Sequence, residues 1–129
     1  MYKRIVVGVA RVETAQTAAR DAIELAKKLG AEVHLVTAFS GSDASPSGAD
    51  RKHAEGFLES IALSAGGSIQ THALPGDPAA AILRVAGEVD ADLIVVGNKG
   101  MHGASRILGS IPNSIAHKTN RSILIVSTT

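Results

Sequence analysis

Four short runs rich in Val, Ile and Leu constrain this chain more than anything else in it: residues 4–9, 32–39, 93–96 and 122–127. A strand covered on both faces has no polar side to show, so it reads as a brief, nearly continuous apolar run. Between these runs the periodicity changes to that of helices. Ala22, Leu25, Ala26 and Leu29 share one face, and Ile82, Val85, Ala86 and Val89 share another. Ala54, Phe57, Leu58, Ile61, Ala62 and Ala65 form the clearest amphipathic stripe. Residues 68–74 are shorter and more polar, as befits a strand at a sheet edge. Strand and helix alternate throughout, and parallel strands need such crossovers. The pattern predicts an α/β fold: an open, doubly wound, five-stranded parallel sheet with helices on both faces, built as one domain over residues 1–129.

The boundaries carry their own signals. Thr14 is a candidate N-cap for the first helix, Gly30 closes it, and Gly66-Gly67 ends the second. In Gly76-Asp77-Pro78, Asp77 is placed as N-cap and Pro78 at the first helical position. Asp90 and Asp92 flank the entry to the fourth strand, and Asn120-Arg121 turns the chain into the fifth. Residues 40–48, SGSDASPSG, are the one low-complexity stretch and read as a mobile surface loop or lid.

Composition removes several function classes. Apolar residues make up 45% of the chain but aromatics only 2%, so stacking platforms for single-stranded nucleic acid are nearly absent. A net charge of +1 with interspersed signs leaves no electrostatic footprint for nucleic acid or an anionic membrane. With no cysteine, disulfides, thiolate catalysis and Cys-ligated metals are excluded. The opening MYKRIVVGVA is too briefly apolar for a signal peptide, and no run is long enough to span a membrane. The expectation is a cytoplasmic protein.

The sharpest functional signal lies within residues 91–126: a buried strand, a glycine-rich loop, a helix and a second buried strand. Gly97, Gly100 and Gly103 follow the strand at once, and Gly109-Ser110 precede a helix in which Pro112 is tolerated because first-turn amides have no intrahelical partner. Glycine lets the backbone approach a ligand, and a helix start adds unpaired N–H donors and the positive end of a dipole. Together these make a phosphate cradle. Candidate residues on that side are Gly97, Lys99, Gly100, Gly103, Arg106, Gly109, Ser110 and Ile111; on the base and ribose side they are Val9, Ala10, Val12 and Ala38. The plainer alternatives are a turn kept for folding, a Ser that only caps its helix, and solvated loop side chains at Lys99, His102, Arg106 and Arg11. The five histidines are scattered over different elements without metal-ligand spacing. Neither a GK-[ST] phosphate loop nor a GxSxG nucleophile elbow occurs. No catalytic residue and no metal ligand is identified.

With the glycine loop placed after the fourth strand, the chain resembles the universal stress protein family. The likeness runs through IVVGV, GDPAAAIL, ADLIVVGNKG and GSIPNSIAHKTNRSILIV, nearly the whole length. It implies strand order 3-2-1-4-5 and a homodimer, often paired through the last strand, residues 122–127, bounded here by Ser122 and Ser127. That strand is apolar and sits at an expected sheet edge, where unpaired backbone groups invite a second chain. Many members bind ATP or another adenine nucleotide such as AMP; others do not.

Two departures bear on that ligand. Nucleotide-binding members carry G-x2-G-x9-G-[ST], whereas here Met101 to Leu108 give eight residues between Gly100 and Gly109. They also carry Asp-x-Ser after the first strand, where this chain has Ala10, Arg11 and Val12. Each lost hydrogen bond costs about 1–3 kcal/mol of binding. The expectation is a dimeric stress-response sensor or adaptor with a nucleotide-type crevice that takes an adenine nucleotide weakly. The alternatives are an interaction protein acting through its dimer and surface, and a slow ATPase.

Overall fold

The computed structural model describes residues 1–10, 16–40, 49–98 and 110–127. Its elements are β1 (Arg4–Gly8), α1 (Gln16–Leu29), β2 (Glu32–Phe39), α2 (Ala49–Ala65), β3 (Ile69–Pro75), α3 (Pro78–Val89), β4 (Leu93–Gly97), α4 (Ser110–Lys118) and β5 (Ser122–Val126). The five strands form one sheet in the order β3-β2-β1-β4-β5, every pair parallel. Expected and observed strand ends differ by a residue, within the ordinary fraying of assignment. Val9, for example, lies past the end of β1 but still donates its amide to the Val36 carbonyl at 2.8 Å.

Period-two alternation divides the core into two layers. Ile5, Val7 and Val9 of the first strand and Val95 of the fourth face Ala19, Ala22, Ile23 and Ala26 of α1, joined by Leu58 of α2. Val6, Ile94 and Val96 face Ile82, Val85 and Ala86 of α3 and Ile115 of α4. Both faces of β1 and β4 are therefore buried, which is why their sequences lack alternation. At Gly8 the packing is tight: a Cβ there would overlap Ile82 Cδ1 unless that side chain moved.

The helix signals hold where they are described. Asp77 accepts the Ala80 amide at 2.9 Å as N-cap of α3, and Pro78 is the first helical residue. Asp90 closes that helix in the left-handed region at φ 53°. Asp92 does more than turn the chain, because its carboxylate accepts the amides of Lys3 at 2.8 Å and Arg4 at 3.1 Å. It pins the entry of β1 beside β4.

The stripe on α2 is a correction. Only Ala54 and Leu58 are buried there, and Phe57, Ile61, Ala62 and Ala65 are half-covered. The best-buried amphipathic faces belong to α1 and α3, with five buried residues each. The reason is position: α2 lies over β2 and the edge strand β3, beyond which the sheet ends. Val89 is likewise half-buried rather than in the core. The N-cap at Thr14 and the loop 40–48, beyond Ser40, fall outside the described residues.

Candidate functional site

Helices α1 and α2 cover one face of the sheet, and α3 and α4 the other. The chain leaves β1 toward one face and β4 toward the opposite face. Neighbouring strands whose exits diverge leave a crevice beyond their carboxyl ends, and here it opens between β1 and β4. Val7 pairs with Val95 in register, so Val9 and Gly97 emerge at the same level on either side.

On the β1 side, Val9 is buried and Ala10 half-buried. Thr37 of β2 donates its hydroxyl to the Val9 carbonyl at 2.7 Å, and half-buried Ala38 follows it. Thr37 was missed in the sequence because a Thr inside an apolar strand looks like one more β-branched packing residue. On the β4 side, Gly97 is half-buried and Asn98 buried, and the Asn98 amide bonds to the Val126 carbonyl at 3.0 Å. Ser110 is exposed as the first residue of α4, with Ile111 half-buried behind it and Pro112 buried in the first turn. The fold thus brings Val9, Ala10, Ala38 and Gly97 to the carboxyl ends of adjacent strands. Lys99, Gly100, Gly103, Arg106, Gly109 and Val12 lie outside the described residues.

The wall of this crevice is apolar on the β1 side, where Ala10 offers no side-chain hydrogen bond. The buried polar residues beside it among those described are Thr37 and Asn98, and α4 begins at Ser110. Among the described residues no group of three or more His, Asp or Glu is placed to hold a metal ion, and no helix is long and apolar enough to cross a membrane.

A separate cavity of about 480 Å³ lies at the edge of the sheet, two strands from the crevice. Glu55 and Glu59 of α2 and Arg84 and Glu88 of α3 flank His72 of β3 there. The histidines are not all scattered, as their spacing along the chain implies: His72 meets His34 with 3.0 Å between ring nitrogens. Two His on adjacent parallel strands, at positions of the same face, were the available signal, legible only once the register is known.

Compared with known families, residues 1–127 match the model of the universal stress protein family. This chain belongs to that family. A universal stress protein of Methanocaldococcus jannaschii is 31% identical across 98% of this chain and 82% of its own length. One from Mycobacterium tuberculosis is 38% identical over 63 residues, a match that spans less than half of either protein, 48% of this chain and 43% of the relative. Among solved structures, a universal stress protein in complex with cAMP superposes with a TM-score of 0.85 at 29% identity, covering 99% of both chains. The five-stranded order and the four helices of this chain are those of a universal stress protein.

Proposed function

We propose that this universal stress protein is a dimeric cytoplasmic sensor or adaptor whose β1–β4 crevice takes an adenine nucleotide by its phosphates. One observation carries the reading. The exits of β1 and β4 diverge into a crevice, α4 follows β4 and begins at Ser110, and the chain is 29% identical to a universal stress protein with cAMP bound. The phosphate side would be Gly97, Lys99, Gly100, Gly103, Arg106, Gly109, Ser110 and Ile111, and the base side Val9, Ala10, Val12 and Ala38. Ligand occupancy would order segments 40–48 and 99–106 and so change the surface offered to a protein partner. ATP and AMP are the adenine nucleotides in question.

Because Ala10 and Val12 stand where a carboxylate and a hydroxyl would anchor the base, phosphate count should matter more than base identity. In calorimetric titration, ATP and GTP are expected to bind comparably, AMP and cAMP more weakly, and adenosine hardly at all. The double substitution Ala10→Asp with Val12→Ser should raise affinity for ATP over GTP. Failure of both proteins to bind ATP at millimolar concentration would remove the nucleotide reading.

The apolar Ala10 favours a second reading, an interaction protein whose crevice takes no nucleotide and which acts through its dimer and surface. Denaturing protein purified from cells and identifying any released nucleotide separates the two.

A further inference from the structure

The β2–β3 register pairs Val36 with His72, so His72 shares a face with His34, two residues before Val36. His34 is 2% exposed, and both its ring nitrogens are engaged. Nε2 lies 2.9 Å from Glu32 Oε1 and Nδ1 lies 3.0 Å from His72 Nε2. An ionised carboxylate only accepts hydrogen bonds, so His34 Nε2 carries the proton it donates to Glu32. In a neutral His34 ring Nδ1 is then a lone pair, and His72 must donate from Nε2. One extra proton fits this arrangement, because either ring can become the cation while one N–H still points at one lone pair. A second proton does not fit: two N–H groups would face each other at 3.0 Å, on two like charges.

We propose that the His34–His72 pair is a proton-operated latch on the edge strand β3, closed while the two rings hold at most one proton beyond the neutral pair and released when acid supplies a second. β3 is one of the two end strands of the sheet and is hydrogen-bonded only to β2, so its ladder can open without breaking a second one. Its residues 71–74 also wall the 480 Å³ cavity, so release of β3 remodels that surface.

The charged groups around the pair come from four elements. Glu32 of β2 holds His34 and is itself 3.6 Å from Arg4 of β1. Glu88 of α3 favours the charged form of His72 and is ion-paired with Arg84 at 2.9 Å. Glu55 and Glu59 of α2 line the same cavity. Against Glu88, burial first and His34 second hold His72 below its ordinary value of 6.5. The folded state thus binds fewer protons here than the unfolded chain does. The stability this confers is whole above about pH 6.5 and is lost progressively as pH falls below it. The two steps belong to the pair rather than to either ring.

The test is amide hydrogen exchange between pH 7.5 and 5, corrected for intrinsic rates, on the full chain. The latch requires the opening constant of the β3 amides to rise about tenfold per pH unit below 6.5, with β1 and β4 unchanged. His72→Gln keeps an N–H donor in place but cannot be protonated, and should abolish the slope. His53→Gln, at an exposed histidine, should leave it intact. An equal slope in His72→Gln, or one shared by β1 and β4, overturns the latch. Should that variant fail to fold, ¹⁵N imidazole spectra of the native chain decide. Two separate ring titrations, the second accompanied by loss of β3 protection, support it; simultaneous titration near 6.5 with β3 still protected overturns it.

Discussion

The hydroxyl of Thr37 donates to the carbonyl oxygen of Val9 across 2.7 Å, joining β2 to the backbone just past the end of β1. Both groups are buried, and the Val9 amide already bonds to Val36. The contact therefore holds the β1 rim of the crevice in place from the neighbouring strand. Thr37→Val keeps the shape but leaves the carbonyl unsatisfied, which should cost about 1–2 kcal/mol in urea unfolding. Thr37→Ser should recover most of that loss. Equal stability of the Val variant would mean that water replaces the hydroxyl.

Gly8 tests the contact between β1 and α3. A methyl there meets Ile82 Cδ1 first, with Ile82 Cγ1 at 3.1 Å and Val96 Cγ1 at 3.4 Å. Ile82 can turn its terminal carbon aside, so Gly8→Ala should destabilise by about 1–2 kcal/mol rather than prevent folding. Ile82→Val removes the obstructing carbon. In a double-mutant cycle the pair should therefore be more stable than the sum of single losses, and strict additivity would place the conflict elsewhere.

Asp92 fixes an acid limb to the stability curve. Its own burial pushes the carboxyl upward, but the Lys3 and Arg4 amides, helped by the Arg4 charge, outweigh that and hold it below the ordinary 3.8. A depressed carboxyl contributes fully above 3.8 and loses its contribution as pH falls below that value. Asp92→Asn should cost about 1 kcal/mol near neutrality, a modest figure because the site is partly solvated. Thermal melts should show the gap between the two proteins constant from pH 5 to 7 and closing below pH 4. A gap that persists at pH 3 would show that the charge is not its source.

The proposed dimer gives a prediction at Leu124. Through β5 pairing with β4, Leu124 lies opposite Val95 and shares the face that α1 covers. It lies on the last strand, where that cover reaches Val126 but leaves Leu124 39% exposed. If two chains join their β5 edges, Leu124 lies at the seam, and Leu124→Lys should shift light scattering at tens of micromolar from dimer toward monomer. A native chain that is already monomeric, or a variant that stays dimeric, would count against β5 as the seam.

What the sequence determined by itself is whatever depends on near neighbours along the chain. Asp77 and Pro78 start α3 because a cap needs a carboxylate three residues before the amide it accepts, and that spacing is local. The runs 5–7 of β1 and 93–96 of β4 declare strands buried on both faces because every side chain in them is apolar. Register and cover are different, since they join positions far apart. His34 and His72 are 38 residues apart in sequence and touch only because β2 and β3 pair as they do. Gly8 is one glycine among 13 until α3 presses Ile82 against it. The stripe on α2 looked like the best core face, yet the sheet ends beneath it. Which residues share a crevice, a latch or an uncovered edge is set by the packing of whole elements against each other, and that free energy has no local signature in the chain.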